Sequence, residues 1–156
     1  MRARDGLEER IDSAVDDLKT AQRKLSALQG QQLATMLPSI VSAAENIGQV
    51  RLAISNVGSL GAADELRTLT LQLRDLLQND AAVAALFAEI DGKPMVVVAL
   101  TKQAQNVGAK AGVLVKLASS VLGGGGGGKD DTAQGGGSDV SKIQGAINAI
   151  RGELAK

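Results

Sequence analysis

A chain of 156 residues holds one globular core, and any further element must be extended rather than globular. Its 44% hydrophobic content includes one aromatic residue, Phe87, and no Trp or Tyr, so the core is built from Leu, Val, Ile and Ala. With no His and no Cys, the sequence excludes disulfides, thiolate and imidazole metal sites, Ser-His-Asp and Cys-His nucleophile arrangements and the commonest general base. Basic and acidic residues number 17 each, so no net field draws in nucleic acid over long range, and any RNA contact has to be local and shaped. No apolar run approaches the roughly 20 residues of a membrane span, and MRARDGLEER lacks the apolar stretch of a signal peptide. The expectation is a soluble, cytoplasmic chain with no membrane partner.

Taken in order, the apolar residues Leu7, Ile11, Ala14, Leu18, Ala21, Leu25 and Leu28 follow an unbroken 4,3,4,3 spacing, a heptad seam on an otherwise charged helix. A helix from about Asp5 to Met36 is about 48 Å long at about 1.5 Å per residue, so part of it projects. The seam packs on a second chain or on a returning helix, which makes Leu7, Ile11, Leu18, Leu25 and Leu28 the candidate oligomerisation residues. Pro38 breaks this pattern, and the predicted division is a coiled-coil arm over 1–37 and a globular unit over 38–156.

Pro38 to Ala44 reads as a short helical turn or connector. The period then changes: Val50, Leu52 and Ile54 alternate with Arg51, Ala53 and Ser55, a half-buried strand, with Gly48 suggesting a hairpin to Glu45–Ile47. Ala62 to Gln78 is a crossover helix with Leu66, Leu69, Leu73, Leu76 and Leu77 on one face. Two apolar runs, 82–90 and 95–101, flank the turn sequence Asp91-Gly92-Lys93-Pro94 and predict antiparallel strands, the second being central. Val107 to Leu122 predicts a helix with Val113, Leu114, Leu117 and Val121 on its apolar face. A last helix begins at a cap near Ser138 or Asp139 and carries Val140, Ile143, Ile147, Ile150 and Leu154 on one side. The fold class is α/β (α+β): a small mixed sheet covered by helices, preceded by the coiled-coil helix.

Between those last two helices lie six glycines, Lys129-Asp130-Asp131-Thr132-Ala133-Gln134 and three more glycines, a glycine-rich loop over 123–137. Ordering six glycines costs about 0.5 to 1 kcal/mol each relative to alanine. A tether tolerates serine or lysine equally well, and this segment sits inside the α/β unit rather than between domains. Bare backbone suits close approach of something large, with amide groups presented to phosphate or ribose oxygens. Neither GxxxxGK[ST] nor GxGxxG is present in its strand-turn-helix setting. Lys102, Lys110, Lys116 and Lys129 are near this segment in sequence and are candidate phosphate contacts, set against the plainer reading of solvated lysines. Asp130 and Asp131 read as a solvated turn rather than a metal site.

The stretch from Leu122 through Gly137 resembles the GG-x-GGG-R-P-D-x-A-Q-x-GG signature near the C-terminus of alanyl-tRNA synthetases, in the DHH-associated domain these enzymes share with a group of phosphoesterases. Upstream, the heptad arm, Val50-Arg51-Leu52-Ala53, Leu66-Arg67, Leu73-Arg74-Asp75 and Val98-Ala99-Leu100-Thr101-Lys102 occur in the family's order, so the resemblance covers essentially the whole chain. Gly123, Gly124, Gly126, Gly127 and Gly128 occupy glycine positions of the signature, and Asp131, Ala133 and Gln134 match its letters. Lys129 stands where the family usually has Arg, Gly125 where a basic residue is frequent, and Asp130 where proline is usual; the last two lower the local positive charge.

The resemblance implies a tRNA-binding, elbow-contacting and oligomerising module of an alanine-tRNA ligase. Its candidate nucleic-acid-binding residues are Gly123, Gly124, Gly126, Gly127, Gly128, Lys129, Gln134, Lys102, Lys110 and Lys116; it has no catalytic residues and no DNA partner. ATP, magnesium and zinc are implied for the rest of such an enzyme and no cofactor for this chain, whose Met1 within a heptad helix suits a piece of a longer protein. Two alternatives remain open on the residues: the substrate-binding half of a DHH-type phosphoesterase, and a structural coiled-coil dimerisation adaptor.

Overall fold

The computed structural model describes residues 20–21 and 35–155. The chain divides into two units, residues 1–32 and 33–156. In the first, Thr20 and Ala21 are helical; the heptad residues Leu7, Ile11, Leu18, Leu25 and Leu28 lie outside the described residues.

The second unit is a six-stranded mixed sheet between two layers of helices. In chain order the elements are α1 (Leu37–Ser42), β1 (Glu45–Ile47), β2 (Val50–Ser59), α2 (Ala63–Leu76), β3 (Ala82–Ile90), β4 (Lys93–Leu100), α3 (Lys102–Asn106), α4 (Ala111–Leu122), β5 (Gly126–Gly128), β6 (Thr132–Gly136), a 3-10 turn (Val140–Lys142) and α5 (Ile143–Leu154). The sheet order is β1-β2-β3-β4-β6-β5. Strands β2 and β3 are parallel, joined through α2, and every other pair is antiparallel. Both edge strands are three residues long, which limits the unpaired edge offered to other chains.

The turns follow from their residues. Gly48, at φ 60°, opens the two-residue link between Ile47 and Val50, where a side chain is rarely accommodated. Asp91 (φ 53°) and Gly92 (φ 77°) form the Asp-Gly link between Ile90 and Lys93. Pro38 sits in the first turn of α1, where its missing N–H has no intrahelical partner to lose.

Two cores lie on opposite faces of the sheet. On one, Leu66, Leu69, Leu73 and Leu77, with Leu37 and Ile40 of α1, pack on Ala53, Ala84, Leu86, Ala88 and Val97. Large leucines fit here because the strands beneath carry alanine. On the other, Leu114, Val115, Ala118 and Leu122 of α4 and Ile143, Ala146, Ile147 and Ile150 of α5 cover Leu52, Val83, Ala85, Phe87, Val96 and Val98. Each fully buried Leu, Ile or Phe contributes roughly 1.5 to 3 kcal/mol.

Three expectations are corrected. Leu76 is 56% exposed, because α2 ends there and Leu77, leaving the helix at φ -106° and ψ 9°, takes the last core position. The helix predicted over 107–122 starts four residues later: a separate short helix, α3, capped by Thr101, ends at Asn106, the chain turns at Gly108 (φ 98°), and α4 begins at Ala111 with Val113 facing outward, 43% exposed. The glycine segment is not a loop but a strand pair, β5 and β6, that completes the sheet.

Candidate functional site

Helix α4 ends at Gly123, which takes a left-handed conformation at φ 84°, and the chain turns back along the sheet. Gly126, Gly127 and Gly128 pair with Gly135, Gln134 and Ala133, and β6 in turn pairs with β4 from Met95↔Gly136 to Ala99↔Thr132. The Gly136 N–H donates to Gly125 O at 3.3 Å and the Lys129 N–H to Thr132 O at 3.0 Å. Residues 125, 127 and 129 therefore turn their backbone groups toward β6, while Gly126 and Gly128 turn theirs toward the free outer edge. Strand order thus rests on backbone pairing, with almost no side chains involved.

The glycines separate by parity. A Cβ on Gly126 would lie 2.5 Å from Gly135 Cα and 2.8 Å from Val115 Cγ1, and one on Gly128 2.7 Å from Ala133 Cα. At Gly124 it would strike Gly136 O, at Gly135 Ser119 Oγ, and at Gly137 Leu122 O. These positions face α4 or an adjacent backbone, and glycine lets helix and hairpin meet without side chains between them. Ser119, fully buried at this contact, has no hydrogen-bond partner for its hydroxyl among the described residues. Gly125 and Gly127 project to the opposite face, and a Cβ on either meets nothing within 4 Å among the described residues.

That opposite face is the α2 side, since Gln134 and Thr132 share it with Val97 and Ala99 of β4. Helix α2 covers β3 and β4 and leaves the hairpin bare. A cleft of about 270 Å³ results, lined by Arg67, Gly127, Gly128, Lys129, Asp131, Thr132, Ala133 and Gln134. A second depression, about 510 Å³, runs over Gly123–Gly125 and Gly135–Ser138 beside Ile90, Lys93, Pro94 and Met95.

The candidate lysines fall into two places. Asp131 O accepts the Leu100 N–H at 2.8 Å and Asp130 O the Ala111 N–H at 3.0 Å. These bonds bring the hairpin tip, with Lys129, beside the start of α3 at Lys102 and the residue preceding α4, Lys110. Lys116 is exposed on α4, one turn after Gly112, where an added Cβ would lie 3.4 Å from Gly128 O. Asp130 and Asp131 belong to no group of three potential metal-ligating side chains among the described residues. Beyond the hairpin, Asp139 caps the 3-10 turn; hydrogen bonds from the Ser141 side chain and backbone hold its carboxyl below the usual carboxylate range.

Arg67 escaped the sequence reading as a site residue. On α2 it is one of several charges on the polar face, and 60 positions separate it from Gly127; only the sheet topology brings them together.

The sequence pattern of the DHHA1 domain matches residues 49–156. The chain belongs to the DHHA1 domain family. Its alanine-tRNA ligase relatives include those of Renibacterium salmoninarum, 46% identical over 149 residues, 96% of this chain and 17% of the relative, and Bifidobacterium longum, 44% identical over 155 residues, 97% of this chain and 17% of the relative. The chain therefore spans about 17% of the length of these curated relatives. Among solved structures, this DHHA1 chain is similar to the C-Ala domain of Aquifex aeolicus alanyl-tRNA synthetase: TM-score 0.65, 28% identity, 72% of this chain and 98% of that one. A DHH-domain member of the s1p family of ribosomal proteins, at 13% identity and TM-score 0.57, covering 81% of this chain and 31% of that one, shares the fold.

Proposed function

We propose that this chain is the tRNA-contacting C-terminal module of an alanine-tRNA ligase, meeting the outer corner of tRNA through the glycine hairpin and the cations at its tip, Lys102, Lys110 and Lys129. In this reading aminoacylation and editing belong to the remainder of a cytoplasmic enzyme, and Leu7, Ile11, Leu18, Leu25 and Leu28 serve its oligomerisation. ATP, magnesium and zinc belong to that remainder as well, as the likeness to alanine-tRNA ligases implies. The observation that carries the reading is the parity of the glycines. Gly125 and Gly127 leave bare peptide on an open face where packing does not demand it, within a chain matched over nearly its whole length by alanine-tRNA ligases. Without Tyr or Trp, recognition rests on shape, peptide groups and ribose hydroxyls rather than base stacking.

The test is a titration against tRNA for alanine, an unrelated tRNA and a duplex lacking the elbow, at low and moderate salt. The expected result is weak binding to both tRNAs, falling with salt on a shallow slope, and none to the duplex, because a balanced charge gives little counterion release. No binding at high micromolar protein overturns the reading.

A further inference from the structure

The α2 side of the glycine hairpin combines three properties. Its floor is open: at Gly125 and Gly127 neither neighbouring atoms nor a positive φ calls for glycine. Its wall carries an unpaired cation: among the described residues Arg51, Arg74 and Arg151 each face a carboxylate, at 3.3, 3.2 and 3.2 Å, and Arg67 faces none. Its third property is a free carboxamide, Gln134, exposed and making no side-chain hydrogen bond among the described residues. Asp131 is the acidic group at the same rim, and Lys129 offsets it.

We infer that this face holds an RNA backbone, with Arg67 as its phosphate contact. The inference rests on the tRNA reading above and fixes which side of the hairpin meets the RNA. The Arg67 guanidinium takes a phosphate in its planar fork. The peptide planes of Gly125 and Gly127 lie under the ribose, which reaches them because no Cβ intervenes. Gln134, whose amide both donates and accepts, pairs with the 2′-hydroxyl, which does the same. A peptide strand would seek unpaired N–H and C=O groups instead, and those of Gly126 and Gly128 line the outer edge of β5 rather than this face.

The experiment measures tRNA affinity of the whole chain at several salt concentrations for the wild type, Arg67→Gln, Gly127→Val and Lys142→Gln, an exposed cation on the α5 side, with melting recorded for each. Arg67→Gln is expected to weaken binding about tenfold and to lower the slope of log affinity against log salt by about 1, a readout that a purely structural role would not move. Gly127→Val is expected to weaken binding about tenfold with unchanged melting, and Lys142→Gln to bind within about twofold of wild type. Gln134→Leu is expected to lose the preference for RNA over the all-2′-deoxy strand of the same sequence; an intact preference removes that residue from the site. Wild-type binding that Arg67→Gln and Gly127→Val leave untouched overturns the inference while the tRNA reading stands. Absence of wild-type binding removes both. Should Gly127→Val melt early, the salt slope of Arg67→Gln decides.

Discussion

Strands β3 and β4 at the centre of the sheet and the β5–β6 hairpin at its edge solve the same packing problem in opposite ways. At the centre, Val83, Phe87, Val96 and Val98 fill one side and Leu86 and Val97 the other, all fully buried, so side-chain volume holds the helices. At the edge, Gly126 and Gly135 remove side chains so that α4 rests against backbone. The difference shows that one sheet can be closed by filling space at its middle and by vacating it at its rim. A rim built on backbone leaves its second face with little side-chain cover, and Gly125, Gly127 and Gln134 lie on it.

Breaking the centre has the largest predicted effect. Phe87→Ala, which empties the position of the only aromatic side chain, is expected to cost about 3 to 5 kcal/mol in urea unfolding. At the rim the same measurement runs in reverse, because damage comes from adding atoms: Gly135→Val is expected to destabilise by about 1 to 3 kcal/mol through its collision with Ser119 and Val115. Thr101 joins the two regions. Its hydroxyl donates to Asp80 O at 2.7 Å and accepts from the N–H groups of Ala82 and Ala104, one residue beyond the Leu100 bond to the hairpin tip. Thr101→Val leaves those groups unpaired and is expected to cost about 1 to 3 kcal/mol.

Gly127→Ala, on the open face, is expected to change stability by less than about 0.5 kcal/mol; a loss as large as that of Gly135→Val would erase the distinction between the two sides of the hairpin. Smallest is the acid response of Asp139. Its carboxyl is depressed in the folded chain, so its stabilising effect is present above the ordinary value of 3.8 and fades as pH falls through the lower folded value. Asp139→Asn should remove that small acid-side dependence of melting and leave the neutral range flat.

The centre was legible in sequence because its side chains carry the signal. Period-two alternation marks β2, the Asp91-Gly92 pair marks the β3–β4 hairpin, and the unbroken Val96–Val98 run marks a strand buried on both faces. The edge was not legible as a strand pair, because glycine carries neither propensity nor alternation and β5 exists only by pairing with Gln134 and its neighbours. The available clue was the placement of Lys129-Asp130-Asp131-Thr132 between two glycine-bearing runs, a reversal flanked by partners of matching length. Leu76 and Val113 show a different limit: periodicity assigns a face but not where a helix stops. The glycine segment and Lys129 were picked out by composition. Arg67 was not, since nothing along α2 distinguishes it from Arg74.

The most direct test of the central claim is an amide-resolved NMR titration of the chain with tRNA, in which the glycine N–H signals report each position of the hairpin separately. The account predicts that the largest shifts fall on Arg67, Gly125, Gly127 and Gln134, along the α2 side. Shifts centred on Val113, Ser120 and Gln144, across α4 and α5, would contradict it.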